Sequence, residues 1–213
     1  MKSNWDIIWL DSVDSTNDEA KRRISDLDNL SVLSTLSQTK GRGQGDHIWL
    51  SEPGSNLLFS IILKYSSSAD AVQSHLLSVQ AHDQIVISQI TALSIVDLLA
   101  AHDIEAKIKW PNDIYVGDKK ICGILIEHSV CGKWLTSSII GIGLNVNQRN
   151  FDVNLPNPIS MVLLSKDSEE NFDLKELLVE FMDIFTGYVD RFCHITGGYN
   201  RLERLYKAQL LTK

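Results

Sequence analysis

Cysteine is scarce in this 213-residue chain, and what there is shows no pattern. Cys122, Cys131 and Cys193 are odd in number and none stand at CxxC spacing. That argues against a disulfide framework or a zinc ribbon and for free thiols in a reducing cytoplasm. Basic residues are missing from a long stretch. No Lys or Arg occurs between Tyr65 and Ala106, and the net charge is −7. Both argue against a large nucleic-acid surface, so no DNA partner is expected. No apolar run is expected to reach the length of a membrane span, and residues 1–6 lack the apolar core of a signal peptide. No internal repeat is visible. What remains is an ordinary globular composition, 44% hydrophobic with a mean hydropathy near zero, long enough to bury one substantial core.

Against that background two stretches stand out. Lys107-Ile108-Lys109-Trp110-Pro111-Asn112-Asp113 places cations, an indole, a proline and two short polar residues in a row. Pro111 removes a backbone donor and restricts Trp110 to extended conformations, so Lys109 falls at a strand end, where its ammonium can meet an anion. Residues 38–49 carry Gly41, Gly43 and Gly45 with Arg42 between two of them. Glycines let backbone N–H groups approach an anion, and the planar Arg fork suits a carboxylate or phosphate. The segment matches neither the GxxxxGK[ST] nor the GxGxxG pattern, and a glycine-rich hairpin with one solvated Arg fits the same residues.

The patterning predicts an α+β fold with a single mixed β-sheet backed by helices. Strands are expected at 7–10, 30–38, 56–64, 107–110, 114–116, 119–127 and 134–142. Helices are expected from Ser15 or Thr16, as caps, to about Leu27, and over 84–102. Leu174 to Phe192 recurs at helical spacing, and Tyr199 to Leu211 forms a final helix. Residues 66–84 read as an insertion, partly helical near 76–79.

Six motifs then occur in order: Asp14-Ser15-Thr16-Asn17, Gln38 to Gln44, Ser51 to Leu57, Lys109 to Asp113, Lys120 to Glu127, and Gly141 to Asn147. Together they resemble the catalytic domain of biotin–protein ligases (biotin–[acetyl-CoA-carboxylase] ligases), from about Ile8 to Asn147. The resemblance implies the fold shared by biotin and lipoate ligases and class II aminoacyl-tRNA synthetases. It implies ATP and Mg²⁺, biotin as substrate, and a biotin carboxyl carrier protein as acceptor, joined through a biotinyl-5′-AMP intermediate. No membrane partner is implied, and a homodimer is compatible with it. Many such ligases carry an N-terminal helix-turn-helix and a small C-terminal β-barrel. With motifs beginning at Asp14 we expect no helix-turn-helix; with a chain ending at Lys213, either the protein lacks the barrel or the chain is a truncated form, and the expectation is a single catalytic domain over 1–213 with a helical part at 173–213.

Site residues follow from the same resemblance. Lys109 would bridge the biotin carboxylate and the phosphate as the main electrostatic catalyst, with Arg42 as second cation. Ser15, Thr16, Asn17 and Gln38 would hold the ureido ring. Gly41, Arg42, Gly43 and Gln44 would form the loop over biotin. Gly123, Gly141 and Gly143 would give the valeryl chain room. Trp49 would cover the nucleotide and Asn145 would read the adenine edge, with Arg42, Gln44 and Lys109 also at ATP. No protein-held metal is expected. Gln44 stands where many members have a second Arg, and Asp46 and His47 where Gly and a basic or small polar residue are usual. Two alternatives stay open: a lipoate–protein ligase, and a biotin-binding protein with weak or no catalysis.

Overall fold

The computed structural model of the chain describes residues 5–66, 77–166, 171–193 and 198–211. Its centre is a mixed seven-stranded sheet in the order β1-β2-β3-β7-β6-β5-β4. The strands are β1 (Asp6–Leu10), β2 (Ser31–Thr35), β3 (Leu57–Lys64), β4 (Lys107–Lys109), β5 (Asp113–Val116), β6 (Lys119–Cys131) and β7 (Trp134–Leu144). β1 runs parallel to β2, and β2 antiparallel to β3. β4, β5 and β6 form an antiparallel meander. Gly117 and Asp118 make the two-residue turn between β5 and β6. Gly117 sits at a φ of 60°, the conformation such a hairpin asks of its first turn residue. The fold class matches the expectation.

The chain groups into two compact units. The first takes in β1, β2, most of β3, the helix α1 (Thr16–Arg22), and residues Leu125–Ile142 of β6 and β7. Its core joins Ala20 and Leu27 to Leu33, Ile62 and Ile139, with Ile8 and Ile24 at the margin. The second holds α2 (Ile85–Ala101) from Val86 on, β4, β5, β6 up to Ile124, and α3 (Met161–Leu164), α4 (Leu174–Cys193) and α5 (Gly198–Ala208).

α2 buries residues on every face, which is why it reads as apolar throughout. Its buried hydroxyls are satisfied internally, Thr91 donating to the Ile87 carbonyl and Ser94 to that of Ile90. Residues Ala81–Ala101 are in fact long and apolar enough to cross a membrane, contrary to expectation, but 67% of their apolar 18-residue window is buried inside the protein. α4 buries Leu177, Leu178, Phe181, Met182, Phe185, Val189 and Phe192 along one stripe. The Asp173 carboxylate caps it by accepting the N–H groups of Lys175 and Glu176.

Several expected boundaries shift. α1 ends at Arg22, well short of Leu27, because the chain then turns, the Asp26 N–H donating to the Arg23 carbonyl. Ser15 occupies the N-cap position but makes no side-chain cap; its N–H donates to the Asp14 carboxylate instead. Residues 67–76 of the supposed insertion, including Leu76, lie outside the described residues. Residues 77–79 are not helical: Leu77 bridges to Tyr65 and its carbonyl accepts the Ser66 N–H. Trp110 leaves the strand for the turn that carries Pro111.

Candidate active site

In the first unit, α1 delivers Thr16 and Asn17 to the buried face of β3. Ser15, Thr16 and Asn17 are all buried. The Asn17 amide nitrogen donates to the Leu125 carbonyl at 3.2 Å and to the Glu127 carboxylate at 2.8 Å. Its oxygen lies 2.6 Å from the hydroxyl of Ser60, which is 2.7 Å from the Thr16 hydroxyl. Gln38 comes in from the chain after β2. Its side-chain oxygen accepts the Thr16 N–H at 2.8 Å and lies 3.2 Å from the Thr16 hydroxyl. The expected polar cluster is therefore real at Thr16, Asn17 and Gln38, with Ser15 beside it.

The glycine segment is a small hairpin. Arg42 bridges antiparallel to Ile48, the Gly43 N–H donates to the His47 carbonyl, and the Trp49 N–H donates to that of Gly41. A Cβ at Gly41 would overlap the Trp49 carbonyl oxygen and press on the Gln38 amide; one at Gly43 would crowd His47. These two glycines thus serve hairpin closure. The Gly43 N–H is committed within the hairpin and so is not aimed at an anion, as the segment's composition suggested. Gln44, Gly45 and Asp46 form an exposed tip, with Gly45 at a φ of 64°. Half-buried Trp49 ends the segment.

Arg42 points its guanidinium at two carboxylates, 2.6 Å from Asp18 and 2.9 Å from Glu127. Lys21 reaches the same Glu127 at 2.6 Å. Partial burial pushes the Glu127 carboxyl up, but hydrogen bonds from Lys21, Arg42 and Asn17 outweigh it and hold the group below the usual glutamate value. Hydrogen bonding to Glu127 raises the already high pKa of Arg42 further, against the opposing effect of burial. Glu127 thus joins the polar cluster to the cation of the hairpin.

Gly141 of β7 faces Asn17, and a Cβ there would overlap the Asn17 amide. The Asn17 amide lies against the space that the absent side chain leaves.

In the second unit, Lys109 ends β4 with its ammonium exposed. It donates to the Tyr115 hydroxyl at 3.1 Å and lies 4.5 Å from that ring's centroid. Trp110 beside it is 70% exposed. The Asn112 amide donates to the Ile124 carbonyl, and Asp113 pairs with Lys120 at 2.7 Å, so the polar residues of this motif tie β5 to β6. Gly123 stands opposite Asp113 in that ladder, and Gly143 is buried in β7. Asn145 is buried, its amide donating to the Ile159 carbonyl and its backbone N–H to that of Ile121. Part of its capacity is structural, which its assignment to the adenine edge did not foresee. Among the described residues no His, Cys, Asp and Glu group could hold a metal ion.

Three residues of the site were not singled out from the sequence. Ser60 is fully buried and sits between Phe59 and Ile61 of β3; a lone hydroxyl inside an apolar strand was the available signal. Glu127 closes a quoted motif without a role being read for it. Tyr115, two residues past Asp113, gave no signal.

Known proteins are similar to this chain in sequence and in fold. A biotin protein ligase from Aquifex aeolicus, solved in complex with biotin and ATP, superposes with a TM-score of 0.76 at 25% identity, covering 97% of this chain and 78% of that one. Biotin–protein ligase 1, chloroplastic, of Arabidopsis thaliana is 31% identical over 94% of this chain and 51% of its own length. The bifunctional ligase/repressor BirA of Bacillus spizizenii is 30% identical over 82% of this chain and 50% of its own. The chain thus spans about half the length of the curated relatives it matches. The model of the biotin/lipoate A/B protein ligase family matches residues 9–145, and this chain belongs to that family.

Proposed function

We propose that this protein ligates biotin, at the cost of ATP, to a lysine of a biotin carboxyl carrier protein through biotinyl-5′-AMP. The observation that carries the reading is Glu127, which hydrogen-bonds both to Asn17 of the polar cluster and to Arg42 of the hairpin. A cluster suited to a ureido ring is thereby coupled to a cation suited to an anion. Relatives of this chain bear the names of biotin–protein ligases, and one is solved with biotin and ATP.

In the first step a carboxylate oxygen of biotin attacks the α-phosphorus of ATP, and the bond to pyrophosphate breaks. Two anions must meet, so fixed cations lower the barrier. Lys109, a point charge at a strand end, and Arg42, a planar fork, fill that role. Arg42 exchanges its contacts with Asp18 and Glu127 for the ligand's oxygens. Mg²⁺ arrives with ATP as part of the substrate. In the second step the carrier lysine, as free amine, attacks the acyl carbon; AMP leaves and the nitrogen sheds a proton.

The test is incubation with biotin, Mg-ATP and a carrier domain, followed by avidin blotting, with lipoate as the rival acid. A biotinylated carrier and no lipoylated one is the expected result. Lipoyl transfer at a comparable rate moves the assignment to the other branch of the family.

A further inference from the structure

We propose that Ser60 is a positioning residue for biotin recognition: it fixes the Thr16 hydroxyl as a hydrogen-bond acceptor toward the ligand. This rests on the biotin reading above.

The argument is a count of protons. The Asn17 amide nitrogen faces two pure acceptors, the Leu125 carbonyl and the Glu127 carboxylate, so the amide cannot be flipped and its oxygen must face Ser60. That oxygen can only accept. The hydroxyls of Ser60 and Thr16 bring one proton each. Three oxygen–oxygen contacts compete for these two protons: Ser60 to Asn17 at 2.6 Å, Ser60 to Thr16 at 2.7 Å, and Thr16 to Gln38 at 3.2 Å. The two short contacts take them. Assigning the protons so that both short contacts are satisfied makes Ser60 donate to Asn17 and Thr16 donate to Ser60, and leaves the longest contact without one. The Gln38 oxygen is itself fixed, since it accepts the Thr16 N–H at 2.8 Å.

Thr16 and Gln38 therefore present two acceptor oxygens side by side. A ligand N–H satisfies both; a ligand carbonyl or thioether there meets only lone pairs. A ureido ring has such an N–H, and the dithiolane of lipoate has none. Ser60 is wholly buried and touches the ligand at no point in this scheme. Its role is to carry the polarity set by Glu127 and Asn17 through to Thr16.

A double-mutant cycle on the full chain separates this from a merely structural role, with biotin affinity read by calorimetry and folding by thermal melting. Ser60→Ala is expected to weaken biotin binding about tenfold, the loss of one oriented hydrogen bond. Thr16→Val should do much the same. Because Ser60 acts through Thr16, the double variant should bind no worse than Thr16→Val alone. Losses that multiply to about a hundredfold, or a Ser60→Ala protein that binds as the wild type does, overturn the proposal. If Ser60→Ala does not fold, Ser60→Cys keeps the volume with a weak donor, and the same comparison applies. A wild-type protein that binds no biotin overturns the ligase reading itself, and the proposal with it.

Discussion

The guanidinium of Arg42 and the carboxylate of Glu127 lie 2.9 Å apart, linking the glycine hairpin to β6. The pair is partly exposed, so it adds little to stability, on the order of 1 kcal/mol or less. Arg42→Ala should therefore melt within a few degrees of the wild type, while adenylate formation falls about a hundredfold. Parallel melting curves and pyrophosphate release would show it. A variant that loses stability and activity together contradicts the division of roles.

The same carboxylate gives a pH dependence. Its folded pKa is depressed, so the stabilisation from Glu127 is present above the ordinary glutamate value, about 4.3, and is lost as pH falls through the folded value. Thermal midpoints between about pH 6 and pH 3 should fall less steeply in Glu127→Gln than in the wild type. Equal slopes would remove Glu127 from the acid transition.

His128 works in a second window. Burial lowers its pKa, and its ring nitrogen lies 2.7 Å from the Ser138 hydroxyl. The unfolded chain takes up a proton below about pH 6.5 that the folded protein resists, so stability declines as pH drops below that value. His128→Gln should flatten that decline in melting curves recorded from pH 7.5 to pH 5. A curve of unchanged shape counts against the assignment.

Lys109→Ala is expected to abolish detectable adenylate formation, a loss of at least about a hundredfold, without unfolding the protein. Lys109 is exposed and contacts Tyr115 through its ammonium. Tyr115→Phe keeps the ring under the cation and removes the hydroxyl, so it should cost only a few-fold in rate. Single-turnover formation of biotinyl-AMP distinguishes the two; wild-type rates in Lys109→Ala would sink the mechanism.

Gly141→Ala tests the floor of the polar cluster. The new methyl overlaps the Asn17 amide, which three hydrogen bonds hold in place. Displacing it should cost about 1–3 kcal/mol of stability and most of the biotin affinity. A variant as stable and as tight-binding as the wild type would show that Asn17 can yield.

The strands and long helices were legible because each has one strong period or one continuous apolar run, as in β3 and α2. The four-residue α3 was not, being too short to show a period. The end of α1 was misread because Ile24 and Leu27 continue its apolar pattern into a turn that still packs on the core. Thr16, Asn17, Gln38, Arg42 and Lys109 were singled out through ordered motifs. Their partners were not. That Arg42 rests on Asp18 and Glu127, and that Ser60 stands between Thr16 and Asn17, depends on strands far apart in sequence meeting in one sheet. Only register decides that.

The hairpin at Arg42–Ile48 carries one further consequence. Its stem is closed by Gly43 and His47, and its tip of Gln44, Gly45 and Asp46 is exposed. The side chains of Gln44 and Asp46 can be exchanged without repacking anything beneath them, whereas Gly45, at a φ of 64°, holds the turn. Gln44 and Asp46, two of the positions that depart from the pattern this chain resembles, are therefore free to vary at no cost to the packing of the fold.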